Sequence, residues 1–544
     1  MRKKTLSALL CTVAAMAVLT GCGGDKKETA AAPAEGNTTA AVTEAAKTEA
    51  ETTAAVQTEA GGEKNLVMPS ASCVANLNPL LEGYKEAAML NPIYDPLYVI
   101  DVNETRYYLA DSYEVSEDGM QITVKLKEGL KWHDGEAITA DDMIFTMDVC
   151  SDTNNGAGGT NIVILNDQPV KYEKVDDLTV KVTLPMASAS YADLLGGLTL
   201  IPEHVFEGNP SVVSAGEANM KGIGSGPYKV TEFKQDEYLL LEKYEDYYMG
   251  APSIDKVTFR IISDLSAQEV ALMNGEVNFM ELANAPAVAK YEADPNFTVV
   301  KYPEGRVNYL AVNKFCETVQ DPKVVEAVFA ALNRDEIIAG AYGDGMAESA
   351  NSIFSNVNTF YDPSVEGYTQ DVEKAKQLVK ETGLDSRTLT LYFNSERVYM
   401  KESAQIIQQQ LKNVGINLEV IPLESAGFFE KVFGTDGDYE FYLNGYGAVG
   451  DPDQVVAGMY DGTWGVNLAV SDEVSQLWKD ARTVYTPEER AAIYKQIQIQ
   501  TRDELTCYPI AYPNYVFVTT SNIKGADTIK RTPVFEDYTK LTME

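Results

Sequence analysis

Histidine is the scarcest reactive residue in this 544-residue chain, with two copies, His133 and His204. A multi-histidine metal centre within the chain is thereby excluded. Nucleophilic catalysis through a histidine base would have to use one of these two. Cysteine is also sparse, with six in all. Beyond residue 22 only Cys73, Cys150, Cys316 and Cys507 remain. They are widely spaced, with no Cys-x-x-Cys, which argues against structural zinc; the sequence does not fix whether they pair. Gly-x-Ser-x-Gly and His-Glu-x-x-His are absent, which weighs against a surface-anchored hydrolase. Positive charge is short as well: 44 Lys and Arg face 81 Asp and Glu, for a net charge of -37. Phosphate backbones would repel such a chain, so nucleic acid is not an expected partner. The charge itself serves solubility. Long apolar runs are missing except for Leu6 to Leu19, which is too short and too rich in small residues for a membrane span.

That run follows Arg2, Lys3 and Lys4 and ends at Leu19-Thr20-Gly21-Cys22. A positive start, an apolar stretch and small residues before a cysteine form a secretory signal, and they resemble the lipobox of bacterial lipoproteins. The resemblance implies a lipoprotein signal with lipobox over 1-22, acylation of Cys22, removal of the segment before that cysteine, and a lipid anchor at the outer face of the cell membrane, of Gram-positive type. Loss of Arg2, Lys3 and Lys4 moves the net charge from -37 to -40. Residues 23-64 consist mainly of Ala, Thr, Glu, Gly and Lys. Such a stretch cannot bury enough surface to offset its ordering entropy, so a disordered tether is expected. Its roughly 42 residues would span about 35–40 Å as a flexible coil.

About 480 residues follow, enough for two or three packed lobes. The first third is rich in strands. Tyr113 to Lys127 is a hairpin, with Ile122, Val124 and Leu126 alternating and Asp118-Gly119 at the turn. Leu178 to Leu184, Gly226 to Val230, Tyr238 to Leu241 and Lys256 to Ile262 read as further strands. The character then becomes α/β. Gln268 to Asn274 is a short helix stopped by Gly275. Asp321-Pro322 starts a helix whose buried face carries Val324, Val325, Val328, Phe329 and Leu332. Thr388 to Phe393 and Ile416 to Ile421 are strands around a helix over Lys401 to Asn413. Ala404, Ile407 and Leu411 hold helical spacing there, so the two strands belong parallel in one sheet. A last strand lies at Tyr512 to Thr519. No fixed-period repeat occurs.

Five blocks carry a resemblance. The first is Leu109-Ala110-Asp111-Ser112-Tyr113-Glu114 with Glu117-Asp118-Gly119, Leu126 to Gly135 and Thr139-Ala140-Asp141-Asp142. Next come Gly224-Ser225-Gly226-Pro227-Tyr228 with Tyr247 to Pro252, then Tyr309 to Asn313, then Gln409-Gln410-Leu411 with Val414-Gly415-Ile416. The fifth is Gly445-Tyr446-Gly447-Ala448 with Asp451-Pro452-Asp453. In this order they resemble family 5 extracellular solute-binding proteins, the peptide, dipeptide and nickel receptors of ABC importers. The resemblance covers about residues 65–544. It implies an α/β, two-lobed periplasmic-binding-protein-like fold with a hinge and an inserted subdomain in lobe one. Lobe one would be 65-308 plus 512-544, its inserted subdomain about 93-214, and lobe two 309-511. Ligand would lie between lobes that close by hinge motion.

The implied function is that of a monomeric receptor that captures an extracellular solute, a peptide first of all, and delivers it to the permease subunits without breaking a bond. No cofactor is expected. A nickel-chelate or oligosaccharide receptor is the alternative within the family. Lys131-Trp132-His133-Asp134-Gly135 reads as turn and scaffold rather than catalytic site, with Trp132 packed. Peptide receptors of this family carry an amine-binding aspartate just before the Asp-Pro pair, and this chain has Ala448-Val449 there. In this loop Gly447 lets backbone approach a ligand, Tyr446 offers an aromatic wall, and Asp451 is either a ligand contact or a turn former. Arg397, between strand and helix, could clamp a carboxylate bidentately. Trp464 and Asn467 could stack on or hydrogen-bond a ligand. Ser72, Cys73 and Asn76 follow the first strand, where the family places backbone contacts to ligand.

Overall fold

In the computed structural model the described residues are 63–81, 89–100, 104–165, 167–447, 450–460, 468, 470–528 and 537–544. Cys22 and the segment around it lie outside them. The architecture is organised around one 14-residue strand, Cys507–Thr520. Its first part pairs antiparallel with Arg306–Val312, from Asn308 opposite Ala511 to Ala311 opposite Cys507. Its second part pairs antiparallel with Phe297–Pro303, from Pro303 opposite Asn514 to Phe297 opposite Thr520, and with Phe279–Glu281. The strands Phe297–Pro303 and Arg306–Val312 are joined only by Glu304 and Gly305, and Gly305 takes φ 74 to make the turn. The two segments 303–306 and 511–514, next to the expected lobe boundaries at 308 and 512, are therefore neighbours. The Glu304 N–H donates to Pro513 O at 2.9 Å. This strand begins earlier than its alternation suggests, because Pro509 and Pro513 interrupt the pattern. Pro509 is tolerated inside the sheet because the register shifts between Asn308 and Tyr309, a bulge that needs no donor there.

Lobe one is built on a four-stranded sheet in the order Asn65–Ser70, Lys256–Ile261, Tyr238–Lys243, Tyr228–Lys234, the first pair parallel. Leu66, Met68, Leu239, Leu241, Val257 and Phe259 form its core with Phe517 and Tyr538 from the C-terminal part of the chain. Between Asn65–Ser70 and Tyr228–Lys234 the chain builds a second sheet, in the order Ala110–Val115, Gln121–Leu126, Thr179–Thr183, Lys171–Asp176. Its inward residues Ile122, Val124, Leu126, Val180 and Val182 meet helix Ala140–Ser151 over a separate core centred on Trp132. That helix starts with a capping box: Thr139 accepts from the Asp141 N–H, and Asp142 accepts from the Thr139 N–H.

Lobe two carries the parallel strands expected around the 401–413 helix. Thr388–Asn394 pairs in parallel with Asn417–Leu423 over seven residues, and also with Phe441–Gly447. The linking helix is Val398–Asn413. Ala404, Ile407 and Leu411 are fully buried against Val325, Val328 and Phe329 of helix Pro322–Ala331. Each such side chain contributes on the order of 1.5–3 kcal/mol. The other sheet face packs under Phe428, Trp478, Tyr494 and Ile497. The expected inserted subdomain, 93–214, touches the part expected as lobe two, 309–511, directly. Ser190 Oγ donates to Asp453 Oδ2 at 2.9 Å and accepts from Gln454 Nε2 at 2.6 Å. The Asp451 N–H donates to Asp193 Oδ2 at 3.0 Å, and the Ala189 N–H to Arg482 O at 2.9 Å. Gly119, at φ 65, lies so close to Tyr485 that a Cβ there would stand 2.0 Å from its ring. No helix among the described residues is long and apolar enough to cross a membrane.

Candidate ligand-binding site

The order of strands in lobe two creates a crevice. From Asn394 the chain enters helix Val398–Asn413, which packs on one face of the sheet. From Leu423 it enters helix Ser425–Val432, whose Phe428 and Val432 pack on the opposite face, and it returns as Phe441–Gly447. The two crossovers leave neighbouring strands toward opposite faces. The carboxyl ends of Thr388–Asn394 and Phe441–Gly447 thus part, which is where open α/β sheets bind ligands. A cavity of about 190 Å³ opens there. Asn394, Arg397 and Met400 line one side. Phe428, Phe429 and Phe433 form a wall. Asn444, Gly445 and Tyr446 close the other side with Arg306 and Met459.

Two guanidinium groups give this crevice a positive character in an acidic chain. Arg306 is held fast: Nε donates to Asn308 Oδ1 at 3.1 Å and Nη2 to Gly445 O at 2.8 Å. Only glycine fits at 445, since a Cβ there would lie 2.0 Å from Asn308 Oδ1. Arg397 is exposed, and no hydrogen bond or ion pair engages its guanidinium among the described residues. It precedes the first turn of a 16-residue helix, whose N-terminal dipole also favours an anion. Glu304, in the lobe connection, sits in the field of both arginines. Burial raises its carboxyl pKa, and the charges of Arg306 and Arg397 oppose that rise. Around the crevice, Asn394 Nδ2 donates to Ser425 Oγ, and Ser425 Oγ donates to Glu396 Oε2. This fixes the start of the Phe-bearing helix against the strand end.

The residues singled out from sequence fare differently. Arg397 and Tyr446 come together at the cavity. Tyr446 presents its ring only: its hydroxyl is buried, donating to Ile353 O at 2.6 Å and sharing a 3.1 Å contact with Tyr460. Gly447 is exposed at the strand end, opposite Arg306. Asp451, expected as a ligand contact or turn former, is a buried anion in the turn-forming role: its Oδ1 accepts from the Asp453 N–H at 3.0 Å. It caps the short helix Pro452–Val455. Its two carboxylate oxygens accept from both Nη groups of Arg490, and Tyr494 donates to one of them as well. Asp451 does not line the cavity. Cys73 and Asn76 lie in the turn after the first strand of lobe one and do not line the cavity. Cys73 packs on the lobe-one core, and Asn76 Oδ1 accepts from the Asn78 N–H at 2.8 Å. Trp464 and Asn467 lie outside the described residues.

Trp132 is fully buried, as expected of a scaffold. His133 is saturated by backbone: Nε2 faces Gly226 O at 2.9 Å, and Nδ1 accepts from the Gly224 N–H at 3.2 Å. Burial, foremost, pushes its pKa down to about 4, so the ring is neutral and ties two loops together. No disulfide joins Cys73, Cys150, Cys316 and Cys507, and burial pushes the Cys150 and Cys507 thiols up to about 12. Among the described residues no group of three or more His, Cys, Asp or Glu could hold a metal ion. Sequence reasoning missed Arg306, Asn394, Asn444 and the three phenylalanines. Phe428-Phe429 with Phe433, three rings within six residues, was the available signal.

A two-lobed α/β fold, with a cationic crevice at a strand switch point and paired chain crossings between lobes, defines a solute-binding protein. The chain belongs to the bacterial extracellular solute-binding proteins, family 5, whose middle-region profile matches residues 104–467. It is 27% identical over 499 residues to the dipeptide-binding protein of Escherichia coli, covering 85% of this chain and 92% of that one. To the oligopeptide-binding protein AppA of Bacillus subtilis it is 29% identical over 447 residues, covering 77% and 80%. Among solved structures, the ABC transporter substrate-binding protein CtaP of Listeria monocytogenes superposes with a TM-score of 0.82 at 33% identity, covering 88% of this chain and 99% of that one. B. subtilis AppA in complex with a nonapeptide gives a TM-score of 0.70 at 26% identity, covering 89% and 99%.

Proposed function

We propose that this chain is the peptide receptor of an ABC importer. It is held at the outer membrane face through Cys22, takes a peptide between its lobes, closes by rotation about the paired segments 303–306 and 511–514, and delivers the peptide to the permease. No bond is broken in that cycle. Peptide-binding relatives support the ligand class. The observation that carries the reading is the pair of guanidinium groups at the switch-point crevice, Arg306 fixed and Arg397 unengaged by any hydrogen bond or ion pair among the described residues. An uncommitted arginine beside a fixed one suits a peptide carboxylate, which accepts two parallel hydrogen bonds. The absence of an aspartate at 448–449 shifts the anchoring of the peptide from its amine toward its carboxylate.

Arg397→Ala is expected to weaken binding of free-acid peptides about tenfold, the scale of one charge-assisted hydrogen bond. C-terminally amidated peptides should lose much less. Calorimetric titration of matched pairs checks this, and equal losses would remove the clamp. Native mass spectrometry of the purified protein tests the ligand class itself: a retained peptide supports the reading, and a retained sugar or metal chelate defeats it.

A further inference from the structure

The 190 Å³ cavity is too small for a whole ligand, which takes about 300 Å³ or more. It is close to the roughly 150 Å³ apolar cavity that holds a benzene ring. It is therefore a side-chain pocket rather than the full peptide site. Its chemistry is specific. Met400 and Met459 contribute thioethers, and Phe428, Phe429 and Phe433 contribute ring faces and edges. Phe428 meets Phe429 edge-on at 5.4 Å between centroids, and Phe429 stacks on Phe433 at 6.0 Å. Phe429 and Phe433 remain 42% and 48% exposed, whereas Phe428 is fully buried. Two neighbouring aromatic rings left open to water beside a cavity gain most by receiving a third ring. The sulfurs of Met400 and Met459 add ring contacts of their own. Arg306 and Arg397 line the same small space, so the ring that enters comes from a residue that also carries a carboxylate.

We propose that this pocket selects the C-terminal residue of the peptide, taking a phenylalanine or tyrosine ring between Phe429, Phe433 and the two methionines while its α-carboxylate meets Arg306 and Arg397. Phe429 and Phe433 are then the specificity-determining residues. The inference rests on the peptide reading above. It adds that the last side chain is discriminated, and that aromatic termini win over small ones.

The test uses the purified full-length chain and two peptide series, with one to four alanines followed by either Phe or Ala as the free acid. Calorimetric titration should show the Phe-terminated member of each binding pair tighter by about tenfold or more, the scale of burying one ring. In Phe429→Ala/Phe433→Ala the preference should fall below about threefold, through weaker binding of the Phe-terminated peptides. Phe433→Ser, at the most exposed ring, serves as a second variant if the double one melts early; it should lower the preference in the same direction. Equal affinity of the wild-type protein for both series overturns the pocket and leaves the receptor reading standing. A preference that survives both variants also overturns it. Binding of no peptide in either series defeats the receptor reading, and the pocket assignment falls with it.

Discussion

At Asp451 the chain places a carboxylate and Arg490 in a site where both are nearly buried, at 9% and 6% side-chain exposure. Arg490 is also sandwiched against Phe360 and Tyr494 and donates to Ala481 O. Removing one partner would strand the other charge. Asp451→Ala is expected to destabilise the protein by about 3–5 kcal/mol in urea unfolding. A loss of binding without loss of stability would instead return Asp451 to the ligand site. Asp95 is a second residue whose environment can be read out. Its Oδ2 accepts from the Tyr247 and Tyr248 hydroxyls, each at 2.8 Å. Burial pushes its pKa up to about 7, against the pull of these two hydrogen bonds and of Lys127. The folded state thus holds its proton to higher pH than the unfolded chain does. Asp95 contributes its full stability below about pH 4 and loses it as pH rises toward 7. The difference in Tm between wild type and Asp95→Asn should therefore shift steadily in favour of the variant from pH 4 to 7, then level off. A flat difference would mean that Asp95 is solvated.

The elements tell which parts of this arrangement a linear reading can reach. Thr388–Asn394, Val398–Asn413 and Asn417–Leu423 were legible because Ala404, Ile407 and Leu411 repeat with helical spacing between two short β-rich runs. Their parallel pairing followed from the length of the crossover. The crevice was not legible. It depends on Phe441–Gly447 lying on the other side of Thr388–Asn394, and strand order is set by contacts that periodicity does not encode. Arg306 was missed for the same reason, since its anchor, Gly445 O, is 139 residues away. Asp451 stayed open between ligand contact and turn former because Asp-Pro-Asp looks alike in both roles, and its partner Arg490 lies 39 residues away. Gly445 tests the element-level packing. Gly445→Ala would drive a methyl into Asn308 Oδ1 and loosen Arg306. A cost of about 1–3 kcal/mol in stability is expected. Free-acid peptides should also bind more weakly, as titration of the folded variant would show.

On the scale of the molecule, the proposed closure couples ligand affinity to the contacts between lobes. Ser190 bridges Asp453 and Gln454, and Arg482 Nε donates to Asp453 Oδ1 at 2.6 Å. Separation of the lobes must break the Ser190 bonds, each worth on the order of 1 kcal/mol. Ser190→Ala should lower the closed population and weaken all peptides by one common factor, up to about tenfold, whatever their last residue. Small-angle scattering of the unliganded variant should show a larger radius of gyration; affinity losses that depend on the terminal side chain would refute this. The strand Cys507–Thr520 has a further consequence, for the birth of the protein rather than its working cycle. Lobe two lacks a central partner for Arg306–Val312 until 507–511 is present, and lobe one lacks Phe517 and Tyr538 from its core until later still. Neither half can finish folding while the tail of the chain is unmade. A chain ending at residue 506 should lose the unfolding transition of the sheet built on 507–520 and keep only that of the separate core around Trp132. The central sheet, unlike the core around Trp132, thus waits for residues far along the chain, and the two halves it joins are completed together.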